Sequence, residues 1–124
     1  MKQALALAAA LALAACTTTP ASPADGIARA GLNERVYVDG PYVTPLEVIE
    51  DSRCPINARC VWAGRMILNV AVRVGNRETR HDLTLGEPLP VGRGRLVLVS
   101  AEPGRVAGRE TDPRAYRFGF ELRP

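Results

Sequence analysis

Residues 66–85 place the strongest constraint on the fold, because one face of this stretch repeats at every second position. Its first half carries Met66, Leu68, Val70, Val72 and Val74, and its second half carries Thr79, His81, Leu83 and Leu85 in the same spacing. Gly75 and Asn76 stand between the halves and suit a two-residue turn with a left-handed backbone. A period of two is that of a β-strand with one buried face. The segment therefore predicts a β-hairpin.

Four further segments have strand patterns and are separated by Gly and Pro clusters. They are residues 36–38, 42–50, 96–99 and 116–123. The apolar run 96–99 is typical of a strand buried on both faces. Pro41 and Pro45 indicate an edge strand or a bulge, because proline cannot donate to the ladder. About six or seven strands result, and they predict an all-β domain, either a small antiparallel β-sandwich or a partly open barrel, since both bury one face of each strand.

The N-terminal residues 1–15 have the pattern of a lipoprotein signal peptide. Lys2 supplies a positive charge, residues 4–15 contain only Ala and Leu, and Cys16 follows Leu13, Ala14 and Ala15 in a string that resembles the bacterial lipobox. This apolar run is shorter than the about 20 residues that a membrane-spanning helix needs. We expect cleavage before Cys16 and lipidation of its thiol. An ordinary secretory signal with an incidental Cys16 is the alternative.

The rest of the chain divides into a tether and one domain. Residues 16–33 comprise the lipidated cysteine and a stretch dominated by Thr, Pro, Ala, Ser and Gly, which predicts a flexible tether. Residues 34–124 are predicted to form the β-rich domain, a suitable length for one core. We expect a lipid-anchored protein of the bacterial cell envelope. The residue after Cys16 is not aspartate, which favours the outer membrane, with the domain facing the periplasm.

Cys54 and Cys60 are predicted to form a disulfide. They remain as a pair once Cys16 takes the lipid, and an exported chain meets an oxidising compartment. A metal site would need further Cys or His ligands, and His81 is the chain's one histidine. The sequence therefore predicts no metal site and no cofactor.

Two strings around this cysteine pair differ from ordinary strand and turn sequence. They read EDSRCP over residues 50–55 and CVWAG over residues 60–64. In this combination the chain resembles an uncharacterised family of small exported bacterial proteins and lipoproteins, closely over 50–64 and loosely over the flanking strands. The resemblance implies a shared fold and supplies no reaction, substrate or catalytic residue.

The side chains of this motif have a structural and a functional interpretation. In the structural one, Asp51 and Ser52 accept backbone N–H groups, Arg53 binds a carboxylate such as Glu50 or Asp51, and Trp62 covers the disulfide as part of a buried plug. In the functional one, Trp62 is an aromatic platform and Arg53 an anion clamp at a binding surface. The structural interpretation is favoured, because the single tryptophan of a small β-domain usually packs inside.

Catalytic and nucleic-acid functions have little support in the sequence. His81 shares the register of Leu83 and Leu85, which predicts a hydrogen-bonded histidine on the apolar face of its strand. A triad of His81 with Ser52 or Ser100 lacks a nucleophile-elbow motif. The formal net charge is only +3, and no basic run is interleaved with aromatic residues, so nucleic acid is not an expected partner. We therefore predict a protein that is not an enzyme.

The segment 102–114 contains Pro103, Gly104, Gly108 and Pro113 and is predicted to be a long loop. Its arginines, Arg105, Arg109 and Arg114, form a candidate basic surface for an anionic envelope polymer, or else a solvated crossover between sheets. Overall, the sequence favours an envelope lipoprotein that serves as a binding or interaction module, with an envelope protein or anionic polymer as partner. A small periplasmic hydrolase, an inhibitor acting on envelope material and a purely structural protein are the alternatives.

Overall fold

The alternating segments form eight β-strands in a computed structural model that describes residues 12–14, 16 and 23–124. The strands are β1 Ala28–Ala30, β2 Val36–Tyr37, β3 Tyr42–Asp51, β4 Met66–Val74, β5 Arg77–Thr84, β6 Leu89–Val91, β7 Gly94–Glu102 and β8 Arg117–Arg123. A single 3₁₀ turn, Pro113–Ala115, precedes β8. The described part of the chain contains no α-helix, which confirms the predicted all-β class.

Two four-stranded antiparallel sheets make up the domain, in the orders β1-β8-β7-β6 and β2-β3-β4-β5. The chain changes sheets between β1 and β2 and again between β5 and β6. The long connection from Glu102 to Arg117 joins β7 and β8 within one sheet. The sheets remain separate, so the architecture is a sandwich and not a closed barrel. Their facing sides enclose one core, in which Phe118, Phe120 and Met66 are fully buried.

The predicted hairpin is present as β4 and β5. Met66, Leu68, Val70 and Val72 are at most 1% exposed, whereas Val74, next to the turn, is 42% exposed. Val70 pairs with His81, and the turn residue Gly75 has a φ of 59°, in the left-handed region that glycine favours. The hydrophobic alternation therefore sets both the register and the buried face of this hairpin.

Pro45 lies in β3 beyond Tyr42 and Val43, the two residues that pair with β2, so at this position the strand pairs with β4 alone. The β3–β4 register shifts between Pro45 and Glu47 and again between Val48 and Glu50. Both predicted settings therefore apply to this proline, a local edge and an adjacent bulge. A bulge accommodates a residue without an N–H and bends the strand locally.

The predicted boundary between tether and domain is wrong. Ala28 and Ala30, assigned to the tether, are 2% and 0% exposed and belong to β1, which pairs with β8. Two alanines on either side of the exposed Arg29 produce only a weak alternation signal, yet they fill the space beside the aromatic residues of β8. The short strand β6 was also not predicted. The signal peptide, apart from residues 12–14, and residues 17–22 of the tether lie outside the described residues.

The strands run between two ends of the sandwich. The end called here the loop end carries the Cys loop, residues 52–65, and the Arg105 loop, residues 103–112. The opposite end, the turn end, carries the β4–β5 and β6–β7 turns, Pro41 and the C-terminal Pro124. Every buried hydrophobic side chain of the described residues lies between Ala28 and Phe120. Residues 23–124 therefore contain a complete core and form a folding unit.

Candidate functional site

The Cys loop begins as a continuation of β3 and β4. The Ser52 N–H donates to the carbonyl of Arg65 at 2.9 Å, the Arg65 N–H donates back to Ser52 Oγ at 3.0 Å, and the Cys54 N–H donates to the carbonyl of Ala63 at 3.1 Å. Gly64 has a φ of 67°, and a Cβ at this position would overlap the carbonyl oxygen of Ser52. The neck of the loop therefore requires glycine at position 64.

A disulfide closes the outer part of the loop. Cys54 and Cys60 are bonded, with their Cα atoms 5.8 Å apart, as the sequence predicted. Within the bridge, the Ala58 N–H donates to the carbonyl of Pro55 at 3.1 Å and forms a turn. A closed loop this short limits the conformations open to the segment in both the folded and the unfolded chain.

Asp51 and Arg53 anchor the loop to the sandwich. The Arg53 guanidinium donates to both carboxylate oxygens of Asp51, at 2.8 and 3.0 Å, and also to the carbonyls of Ala101 at 2.7 Å and Pro103 at 3.1 Å. The hydroxyl of Tyr116 donates to the same carboxylate at 2.8 Å. Forked arginine–carboxylate contacts of this kind are both strong and geometrically specific.

The environment of this cluster shifts two pKa values in opposite directions. Burial raises the pKa of Asp51, but the hydrogen bonds from Arg53 and Tyr116 and the Arg53 charge outweigh burial, so the pKa lies below its ordinary value. Burial and the hydrogen bond to Asp51 raise the pKa of Tyr116. Asp51 is therefore held ionised and Tyr116 neutral, the states in which their hydrogen bond forms.

The Arg105 loop supports the Cys loop from the side. The Arg105 guanidinium donates to the carbonyl of Arg53 at 2.7 Å, and the Ile56 N–H donates to the carbonyl of Arg105 at 2.8 Å. The Ala107 N–H donates to Asn57 Oδ1, also at 2.8 Å. These contacts join residues about 50 positions apart, so each loop fixes the other.

The tip of this braced loop is apolar and exposed. Trp62 is 83% exposed, its neighbour Val61 is 92% exposed, and Ile56 is 75% exposed. The expectation that Trp62 packs inside and covers the disulfide is therefore wrong. Hydrogen bonds, the disulfide and Gly64 hold the loop, so the fold does not need the indole as a filler.

The arginines predicted to bind anions differ in exposure and in their hydrogen bonds. Arg53 is not an anion clamp, because its side chain is only 16% exposed and its donors are engaged within the protein. Arg105 is half-buried, and its guanidinium donates to the carbonyl of Arg53, so it braces the Cys loop. Arg109 and Arg114 are exposed, and Arg114 lies 3.6 Å from Asp112. Sequence reasoning missed Tyr116 as a site residue, since its alternation with Phe118 marks it only as core.

The residues considered for catalysis lie apart. His81 Nε2 is 2.8 Å from Thr79 Oγ1, so the histidine is hydrogen-bonded as predicted, but it is half-buried and bonds to an exposed threonine, outside the core. Ser52 Oγ bonds to the backbone of Arg65 at the loop end, and Ser100 lies beside Gly119 in the other sheet. The structure thus brings neither serine to His81.

The turn end contains an open apolar groove. One cleft of about 550 Å³ is lined by Pro41, Val74, Val91 and Leu122 together with the charged residues Asp39, Arg93 and Arg123. A second cleft of about 420 Å³ shares Val74 and Val91 with the first and continues to Arg77 and His81. The two clefts adjoin at Val74 and Val91 and are together called here the turn-end groove.

Comparisons with known proteins assign no family to the chain. No family model, no curated protein and no solved structure matches it. Within the described residues, no helix is long and apolar enough to cross a bilayer, and no group of three or more His, Cys, Asp or Glu side chains is placed to hold a metal ion. Functional inference therefore starts from the Cys loop and the turn-end groove.

Proposed function

We propose that this chain is a lipid-anchored protein of the bacterial cell envelope whose β-domain binds another envelope protein through the tip of its Cys loop. The observation that carries the proposal is the exposure of Trp62 and Val61 on a loop that is otherwise fully braced. Burying a large apolar side chain stabilises a protein by about 1.5–3 kcal/mol. Here Trp62 and Val61 remain exposed to water, although polar groups of the same loop are hydrogen-bonded within the protein.

Two physical arguments favour a protein as the partner. Tryptophan is enriched at the energetic centres of protein interfaces, where a rigid apolar ring fills a pocket on the other side. A loop held by a disulfide and by the contacts of Arg53 and Arg105 loses little conformational freedom on binding. Preorganisation of this kind increases affinity because the ordering has already taken place during folding.

The anchor and the location belong to the same proposal. Cys16, the lipobox-like string before it and the Cys54–Cys60 disulfide together support export and lipidation. Incorporation of radiolabelled palmitate into the full chain, made in a bacterial host, tests the anchor. We expect labelling of the wild type and none of Cys16→Ala. Equal labelling of both chains would contradict lipidation at Cys16.

The binding proposal is tested by photocrosslinking in the native envelope followed by a titration. A photoreactive amino acid at position 61 should capture a specific protein, whereas the same probe at exposed position 76, on the turn end, should not. The captured protein is then purified and titrated with residues 23–124. We expect Trp62→Ala to weaken binding about 30-fold or more, as at other interface hot spots.

Ile49→Ala is the matched control for that titration. Ile49 is 50% exposed and also apolar, but it lies on β3 away from the loop tip, so its removal should change affinity less than twofold. Equal loss in the two variants, or unchanged binding by Trp62→Ala, would overturn the proposal.

A further inference from the structure

The turn-end groove combines an apolar floor with a rim that carries three arginines and the carboxylate of Asp39. Val74 in its floor is 42% exposed, and Arg77, Arg93 and Arg123 line its sides. Arg123 is paired with Glu121 at 2.9 Å. Among the described residues, neither Arg77 nor Arg93 belongs to an ion pair. The three arginines of the rim outnumber the acidic side chains of Asp39 and Glu121, so the side chains of the groove keep an excess of positive charge toward an anionic partner.

The tether keeps the domain close to the anchor. β1 is antiparallel to β8, with Ala28 opposite Phe120 and Ala30 opposite Phe118. A turn precedes β1, in which the Gly26 N–H donates to the carbonyl of Pro23 at 3.0 Å. Eleven residues separate Cys16 from Ala28. Even a fully extended chain of that length keeps Cys16 within about 40 Å of β1.

We propose that the turn end docks on the anionic phospholipid surface of the membrane that holds the anchor. Arginines at the rim would pair with phosphate groups, and the apolar floor would meet the upper part of the acyl region. Juxtamembrane basic residues add an electrostatic attraction to an anionic surface. The proposal rests on the proposed function for the identity of that membrane.

This docking would orient the domain. β4 has nine residues and connects the two ends, so the tip of the Cys loop stands about 30 Å from the docked surface. Trp62 would then face the periplasm and its protein partner, away from the lipid. The two surfaces therefore serve different partners and do not compete for one.

Vesicle sedimentation of residues 23–124 tests the docking without any contribution from the anchor. The vesicles contain either phosphatidylglycerol with phosphatidylethanolamine or phosphatidylcholine alone. We expect binding to the anionic vesicles, loss of that binding at high salt, and little binding to the neutral ones. Arg77→Glu with Arg93→Glu should reduce the apparent affinity for anionic vesicles at least about tenfold.

Arg109→Glu with Arg114→Glu is the matched control, because it changes the net charge equally at the exposed loop end. This pair should bind within about twofold of wild type, as should Trp62→Ala. Equal losses in the two arginine pairs, which would indicate net charge alone, would overturn the proposal. So would equal binding to both vesicle types, no binding by wild type, or a lipid-free dimer closed by the groove. None of these results depends on the photocrosslinking at position 61.

Discussion

Arg53 follows Asp51 by two residues at the loop end, and Arg123 follows Glu121 by two residues at the turn end. Both pairs close at 2.8–2.9 Å, but the side chains of the first are 16% and 9% exposed, whereas those of the second are 49% and 38% exposed. The same local sequence spacing therefore produces a structural anchor in one place and a solvated surface pair in the other. What differs is the set of neighbours, including Tyr116 and two backbone carbonyls, that surrounds Arg53.

The apolar side chains of the two ends show the reverse arrangement. At the loop end, Trp62 projects from a braced backbone, while at the turn end Val74 lies in a groove between the sheets. A projecting ring can enter a pocket of another protein, and a groove with a basic rim suits a soft anionic surface. The comparison indicates two surfaces with separate roles, and each prediction below tests one part of it.

Among variants at the two ends, Asp51→Ala should have the largest effect on stability, about 3–4 kcal/mol, because it leaves the shielded Arg53 guanidinium without its carboxylate. Glu121→Ala, which opens the equivalent exposed pair, should cost less than about 0.5 kcal/mol. Urea unfolding of both variants of residues 23–124 measures the difference. Similar costs would show that burial does not distinguish the two pairs.

Replacing Cys54 and Cys60 together by alanine should lower the free energy of unfolding by about 2–3 kcal/mol, the value that the chain-entropy relation predicts for so short a loop. The effect should be local to the loop end, so hydrogen exchange should increase at Cys-loop amides such as Ile56. Amides of the β4–β5 hairpin, which report the loss of global stability, serve as the internal reference. An increase at Ile56 no larger than the increase in the hairpin would contradict a local brace.

Acidification should remove the part of the unfolding free energy that depends on the ionised Asp51 carboxylate. Its folded pKa lies below the unfolded value of about 4, so its stabilisation is present above that pH and is lost as pH falls through the folded pKa. The difference in unfolding free energy between wild type and Asp51→Ala should therefore shrink below about pH 4. A constant difference down to pH 2 would rule out Asp51 ionisation as its source.

Trp62→Ala should have the smallest effect on stability, less than about 0.5 kcal/mol, since the side chain is 83% exposed. Phe118→Ala, which removes a fully buried aromatic ring, should cost about 3–5 kcal/mol in the same urea experiment. A loss of several kcal/mol for Trp62→Ala would instead support the interpretation of Trp62 as part of a buried plug.

Strands with a local sequence pattern were predictable, whereas strands whose burial depends on residues distant in the chain were not. The β4–β5 hairpin was predictable because its alternation and its Gly75 turn agree. β1 was not, because alanines at positions 28 and 30 are buried only through their pairing with β8.

The candidate site divides in the same way. The disulfide and an arginine–carboxylate contact were predictable from residue type and spacing. The partner of Asp51 on β8 was not, because Tyr116 lies 65 residues away along the chain. Trp62 was assigned to the interior from its residue type, whereas Gly64 and the hydrogen bonds of the neck are what allow the loop to project.

The most direct test of the two-surface account is the fluorescence of Trp62, the chain's single tryptophan, in the lipid-anchored protein on anionic vesicles with brominated acyl chains. The account predicts that aqueous acrylamide quenches the emission freely while the brominated lipid leaves it unchanged, with the disulfide intact. Protection from acrylamide together with quenching by the brominated lipid would place Trp62 in the membrane and contradict the account.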